Sequence, residues 1–260
     1  MIRVTACVLT KNEEDNLPAC LASLTWADEL QIVDSGSADR TAEIAKNAGA
    51  RIFHRAWTGF YDQRIYQFGL PETDWLFWLD ADERCTPELQ KELLAFKAQA
   101  GEPSRKGYNV PRLTYFLGSP IRHCGWFPDR MPRLFRKDSW GFNREGIHAK
   151  IQIGGGDGEL KQLIEHYPYK DLETYYKKMA QYAVETAEYK FKQGKRVSLA
   201  SAIAIAPARF LKTYLLQGGV LDGRAGLAVA WLSSISDSMK YLELYRRSRD
   251  FGLRNSENVK

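Results

Sequence analysis

The chain has 260 residues, 44% hydrophobic and 27% charged, the composition of a soluble globular protein with room for one large domain or a domain with an appendage. Cys7, Cys20, Cys85 and Cys124 form no C-x-x-C pair and the histidines show no H-E-x-x-H spacing, which argues against a disulfide framework and a zinc site. The net charge of +5 is uneven: from Lys195 onward 11 basic residues stand against 5 acidic ones, a net of +6, leaving about −1 for the first 194 residues. A basic C-terminal end suits an anionic surface, membrane or nucleic acid, or simply a solvated face.

Met1 leads straight into a strand pattern, so no signal peptide is expected. Residues 3–10 (RVTACVLT) read as the first strand. Leu17, Leu21 and Leu24 then recur at helical spacing with Pro18 near the helix start, after the polar loop Lys11-Asn12-Glu13-Glu14-Asp15-Asn16. A second strand over residues 30–33 ends in Asp34-Ser35-Gly36-Ser37, and a helix over 40–48 is stopped by Gly49. A short strand over 51–54 and a helical segment over 61–68 lead to Asp74-Trp75-Leu76-Phe77-Trp78-Leu79-Asp80-Ala81-Asp82-Glu83.

The chain is organised around this last stretch. Five apolar residues without alternation fit a strand buried on both faces, and the run ends abruptly in carboxylates. Thr86 and Pro87 read as the N-cap and first residue of the next helix. Strands alternating with helices predict a parallel, doubly wound α/β sheet, whose ligands bind at the strands' carboxyl ends. Asp80 and Asp82, two apart in an extended chain, point the same way and together can hold Mg2+ or Mn2+ with positions left for diphosphate oxygens. A capping turn explains the same residues without a metal. There is no G-x-G-x-x-G and no Walker loop, so a dinucleotide site and a P-loop kinase are not expected. Instead Glu13, Asp34, Asp80 and Asp82 line one sheet edge, where carboxylates accept from a uracil N–H and from ribose hydroxyls. For Asp34 an Asx turn is the alternative. Arg64, ahead of the central strand, has the fork geometry to pair with a diphosphate, or is an exposed helix arginine.

The segments "LTKNEEDNLPACLASL", "IVDSGSADRT" and "WLFWLDADE" resemble the signature segments of the family-two glycosyltransferases with the GT-A fold. "RHCGWFPDRMPRLF", "KRVSLASAI" and "FLKTYLLQGGVLDGRAGL" bring the resemblance closer to the lipopolysaccharide inner-core heptose β-1,4-glucosyltransferases, over the chain to about Tyr245. The resemblance implies an α/β, GT-A-type Rossmann-like sheet with helices on both faces, plus a helical C-terminal extension. It implies that Glu13 and Asp34 hold the uridine, Asp80 the ribose and metal, and Asp82 the metal; Thr10, Asn12, Gly36 and Arg64 complete the candidate nucleotide-sugar site. The reaction implied is inverting transfer of a hexose, as glucose from UDP-glucose, without a covalent intermediate.

A second region follows the helix over 86–99 and the loop over 100–106, with strands expected at 108–116, 131–135, 147–153 and 160–166, the last two joined as a hairpin by Gly154-Gly155-Gly156-Asp157-Gly158. Trp126, Phe127 and Trp140 suit sugar rings or a core. Asp129 and then Glu145 are the candidate bases for the acceptor hydroxyl. The related proteins carry Val-His-Glu where this chain reads Ile147-His148-Ala149. That leaves His148 as a candidate third metal ligand or a structural histidine. Helices are expected over 171–193, over 199–216 with a break at Pro207, and over 226–247. Their apolar stretches 199–208 and 225–232 are shorter than a membrane span.

The expected division is 1–170, with a nucleotide-binding half 1–100 and an acceptor half 101–170, followed by a helical extension 171–260. The expected partners are a UDP-sugar, the lipopolysaccharide core and an anionic membrane surface, with a homo-oligomer interface or simple packing of the C-terminal helices against the sheet as the alternative to the last. The expected location is the cytoplasmic face of the inner membrane. Other UDP-sugars and acceptors, or a catalytically silent glycan-binding protein, remain as alternatives. Nucleic acid is not expected, because the sheet edge is acidic.

Overall fold

A computed structural model describes residues 1–143 and 150–257. In chain order, β1 is Val4–Thr10, α1 Leu17–Ala22, β2 Glu29–Asp34, α2 Thr41–Asn47, β3 Arg51–His54, α3 Phe60–Gly69, β4 Trp75–Asp80, β5 Glu83–Cys85 and α4 Pro87–Ala98. There follow β6 Gly107–Phe116, β7 Ser119–Pro120, β8 Asp129–Arg136, β9 Trp140–Asn143, β10 Lys150–Ile153, β11 Asp157–Glu159 and β12 Ile164–His166. The C-terminal part is helical: α5 Leu172–Lys192, α6 Leu199–Leu211, a π turn Lys212–Leu216, a 3-10 turn Gly219–Asp222, and α7 Gly223–Glu257.

The chain folds as two compact units, Met1–Leu113 with Pro128–Pro168, and Thr114–Phe127 with Tyr169–Lys260. The first carries a mixed sheet in the order β3-β2-β1-β4-β8-β6-β12-β5. β1, β2, β3 and β4 run parallel, and β8 joins antiparallel to β4. The unalternating runs of β1 and β4 are explained by burial on both faces. Period two then sorts β4: Trp75, Phe77 and Leu79 pack with Leu17 and Leu21 of α1 and Leu89 and Leu93 of α4, while Leu76 and Trp78 pack with Phe68 of α3 on the other side. The Thr86 side chain caps α4 by accepting from the Leu89 N–H at 3.2 Å, and Pro87 takes the first helical position, as expected.

The expected hairpin across Gly154–Gly158 does not form. β10 pairs antiparallel with β9, and β11 pairs parallel with the start of β6. Gly155 (φ 96°) and Gly156 (φ 83°) take a left-handed path that carries the chain to the edge of β6 rather than back along β10. β5, β7, β9 and β11 were not expected as strands. β5 is three residues long, and its partner β12 lies about eighty positions away in sequence, so no local pattern announces it.

The second unit packs Phe116, Ile121 and Cys124 against Tyr175 and Met179 of α5 and Ala225, Val229 and Leu232 of α7. Asp171 caps α5, accepting from the Thr174 N–H at 2.7 Å. Pro207 does not end the helix that contains it. Leu199–Leu216 is a continuous 18-residue helical run of mean hydropathy 1.3, longer than its apolar stretch read alone.

Candidate active site

Strand order places the site. The chain winds outward from β1 through β2 to β3, and β4 lies on β1's other side. The reversal at β1 opens the crevice that parallel sheets use for ligands. Register sets its lining, because Thr10 pairs with Asp34, Asp34 with His54, and Leu9 with Asp80. Three strands therefore deliver Thr10, Asp34 and Asp80 to one edge.

Asp34 is only 2% exposed. It accepts from the N–H groups of Gly36 at 3.2 Å and Ser37 at 3.1 Å, and from the hydroxyls of Ser37 and Thr10. His54 Nδ1 lies 3.3 Å away. Burial by itself raises this carboxyl's pKa, but the bonds from Ser37 and Gly36 outweigh it and hold the group below the ordinary aspartate value. Asp34 thus makes the Asx-type turn and remains anionic at the strand end. Gly36 supports that turn at φ 86°, where a side chain would be strained.

Asn12 staples the loop after β1 to the loop after β2: its N–H donates to Ser37 Oγ at 2.9 Å and its Oδ1 accepts from the Ala38 N–H at 2.8 Å. Its φ of 54° is one that asparagine tolerates better than most residues. The Glu13 N–H donates to Thr41 Oγ1 at 2.8 Å and its carboxylate accepts from Asn16 at 2.8 Å.

Arg64 is buried on α3 rather than exposed. Its Nη2 bonds Asp80 Oδ1, its Nη1 donates to Gln67 at 2.7 Å, and its guanidinium lies 4.2 Å from the centre of the Trp78 ring. The arginine is committed to Asp80. Asp82 follows in the turn, with its Oδ2 3.6 Å from His166 Nε2 and its carbonyl accepting from the Tyr167 N–H at 2.9 Å. Asp80 and Asp82 are hard oxygen donors that leave room for further ligands, and an imidazole stands beside one of them, so this set fits Mg2+ or Mn2+ completed by diphosphate oxygens. Among the described residues no three His, Cys, Asp or Glu side chains group closely enough to hold a metal ion by themselves.

Glu83 differs from its acidic neighbours. It is fully buried and receives Arg133 Nη2 at 2.6 Å and Arg112 Nη1 at 2.9 Å. Its second oxygen accepts from the Asp80 N–H at 2.9 Å, which fixes the start of the Asp80–Asp82 turn. Burial would raise the Glu83 pKa, but the two guanidiniums outweigh it and hold the carboxyl well below its ordinary range. Arg112 also donates from Nε and Nη2 to Oδ2 of Asp129, its cross-strand partner at the start of β8. One arginine therefore links Asp129 to the carboxylate under the Asp80–Asp82 turn. Glu145 and His148 lie outside the described residues. Trp140 packs with Phe68 and Phe142 in the core, and Trp126 packs on Phe116 in the second unit.

Sequence reasoning missed Glu83, Arg112, Arg133, His54, His166 and Gln63. Gln63 is buried and donates to the carbonyls of Arg55 at 3.1 Å and Ala56 at 2.9 Å, so it holds the loop after β3. A signal existed for the arginines: Arg133 sits inside the apolar run Met131–Phe135, where a charge survives only with a buried partner. The four cysteines are buried and unpaired, and burial pushes the Cys85 thiol up to about 12, so none is a poised nucleophile.

The sequence profile of glycosyl transferase family 2 matches residues 5–153. The chain belongs to that family. It is 27% identical over 256 residues to the lipopolysaccharide core biosynthesis glycosyltransferase LpsC of Rhizobium meliloti, covering 94% of this chain and 92% of that one. It is 26% identical over 271 residues to an uncharacterised glycosyltransferase of Rickettsia typhi, covering 96% and 90%. The mannosyltransferase PcManGT of Pyrobaculum calidifontis, solved with GDP-Man and Mn2+, is 15% identical, covers 92% of this chain and 87% of its own, and superposes with a TM-score of 0.54. The fold is the GT-A fold, and the protein is a glycosyltransferase near the lipopolysaccharide core enzymes.

Proposed function

We propose that this glycosyltransferase moves a hexose, glucose from UDP-glucose, with inversion onto a heptose of the lipopolysaccharide inner core. The observation that carries the reading is the in-register arrival of Thr10, Asp34 and Asp80 at one edge of the sheet, with Asp82 in the adjoining turn. Glu13 and Asp34 face the uridine. Thr10, Asn12 and Gly36 keep Asp34 and its loop in place. Asp80 takes the ribose and, with Asp82, a divalent metal, Mg2+ or Mn2+. Arg64 orients Asp80 and pairs with the diphosphate through its guanidinium. His166, beside Asp82 at 3.6 Å, joins His148 as a candidate for an imidazole at the metal.

When bound, the metal supplies charge neutralisation for the departing UDP. Asp129 takes the proton of the acceptor hydroxyl as its oxygen bonds to the sugar's anomeric carbon and the bond to UDP breaks. Arg112 holds Asp129 by Oδ2 and leaves Oδ1 to meet the hydroxyl. Glu145 is the second candidate for the base.

The likeness to LpsC supports the acceptor class. The +6 balance after Lys195 supports peripheral attachment to the anionic inner membrane at its cytoplasmic face. A screen of UDP-sugars against defined core acceptors, with metal or with chelator, tests the reading. UDP-glucose and a heptose-bearing core should give metal-dependent transfer. Turnover with another donor or only with another acceptor would replace this assignment, and unchanged turnover in chelator would remove the metal.

A further inference from the structure

The second unit carries an apolar projection that no sugar chemistry requires. The continuous helical run Leu199–Leu216 has a mean hydropathy of 1.3, yet only 11% of it is buried. At its end Leu215, Leu216, Val220 and Leu221 stand out on the turn into α7, with Leu216 84% and Leu221 71% exposed. Trp231 of α7 is 61% exposed, its ring 6.4 Å from Phe210, which stacks on Tyr214.

The projection is built to stay rigid while presenting those side chains. A β-carbon on Gly219 would fall 2.8 Å from the Thr213 carbonyl oxygen and 2.9 Å from Cys124 Sγ, so the turn is packed tightly on its inner side. Asp222 accepts from the N–H groups of Arg122 at 3.2 Å and His123 at 2.8 Å, and its Oδ1 meets His123 Nδ1 at 2.8 Å. From Lys195 to Lys240 the chain has Lys195, Arg196, Arg209, Lys212, Arg224 and Lys240 against two acids, Asp222 and Asp237, and Asp237 is taken by Lys240 and by Arg209 at 3.8 Å. Asp222 is spent on the inner clamp, and Lys212 and Arg224 are exposed beside the leucines. Exposed aliphatics, amphipathic aromatics and unopposed cations on one projection are what an anionic lipid interface accepts. A symmetric contact with a second copy would bring the same cations against themselves.

We infer that the turn between α6 and α7 inserts its leucines into the outer part of an anionic bilayer, with the helix lying in the interface instead of crossing it. Eighteen residues reach about 27 Å, close to a hydrocarbon thickness of about 30 Å. Crossing, however, would carry Arg209, Lys212, Arg224 and the Arg122–His123–Asp222 clamp into or through the hydrocarbon. Shallow insertion leaves each charge at headgroup level. This inference deepens the membrane-face reading above and depends on it for location, not for the sugar chemistry.

The test uses the full chain and vesicles of phosphatidylcholine with or without phosphatidylglycerol. The native cysteines are all buried, so an environment-sensitive fluorophore on Leu216→Cys reports the tip alone, with Leu94→Cys on α4 as control. The 216 probe should shift to the blue only with anionic vesicles, and the 94 probe should not shift. The variant Leu215→Ser/Leu216→Ser/Leu221→Ser should lose about tenfold or more in vesicle affinity, and Lys212→Glu/Arg224→Glu should lose the preference for anionic lipid. Circular dichroism checks that both variants fold. Hydrolysis of UDP-glucose in solution should be unchanged in both, which separates failure here from failure of the catalytic reading. An unshifted 216 probe or wild-type vesicle affinity in the triple variant overturns the inference. So does a solution dimer that the triple variant dissolves, since a second copy then covers the projection.

Discussion

Replacing Glu83 by glutamine keeps the shape of the group under the Asp80–Asp82 turn and removes its charge. Glu83 and Arg133 are both fully buried, joined at 2.6 Å, and Arg112 completes the cluster at 2.9 Å. Breaking such a pair by neutralising one partner typically costs about 3–5 kcal/mol, because a buried charge is left uncompensated. Here the Arg133 guanidinium keeps two partners, the Trp78 ring at 3.8 Å and the Trp78 carbonyl at 3.3 Å, so the lower end, about 3 kcal/mol, is expected. For a chain of this size that corresponds to a melting temperature about 6–12 °C lower. Trp78 touches the cluster, and five of the seven tryptophans lie in the first unit, so tryptophan fluorescence during urea or thermal unfolding is weighted toward that unit. Stability should also respond to pH with a definite sign. A carboxyl whose folded pKa is depressed stabilises the fold above its unfolded value, about 4.3, and loses that contribution as pH falls toward the folded value. The wild type should therefore lose its advantage over Glu83→Gln as pH drops below about 4.3. Adding Arg133→Met to Glu83→Gln should recover most of the loss, since no buried charge then lacks its partner. A loss below about 1 kcal/mol, or no recovery in the double variant, refutes the reasoning.

Asp82→Ala should abolish the gain in UDP affinity that Mn2+ confers in titration calorimetry while leaving metal-free binding unchanged; equal affinity with metal in both proteins removes Asp82 from the metal site. Asp129→Asn should lower turnover by about 100- to 10,000-fold with UDP-glucose affinity near normal. If Glu145→Gln alone shows that loss, Glu145 is the base. Ser37→Ala removes a donor to Asp34 and the acceptor of the Asn12 N–H, so it should destabilise the first unit by about 1–3 kcal/mol in denaturant titration and weaken UDP binding. Full retention of both would separate the turn from the nucleotide site. Asp171→Ala deletes the cap of a 21-residue helix and should cost about 1 kcal/mol in the second unit's unfolding, with no change in UDP affinity.

What the sequence determined by itself was whatever local patterning encodes. The apolar runs of β1 and β4, the Thr86–Pro87 helix start and the acidic residues at the strand ends were legible because period, capping chemistry and strand-end polarity act over a few residues. Three signature segments in order carried the family as well. Tertiary structure decided which polar residues meet. Arg64 could be read as an exposed helix arginine until α3 laid it against Asp80 and Trp78. Glu83 only closed the acidic run, with no role of its own, until β6 and β8 brought Arg112 and Arg133 over it from 29 and 50 residues away. The Gly154–Gly158 hairpin failed for the same reason: glycines permit a turn, but the edge of β6, set by distant pairing, chose its direction. Buried charge lies furthest beyond local reading, since its cost is offset only by partners that the folded chain supplies.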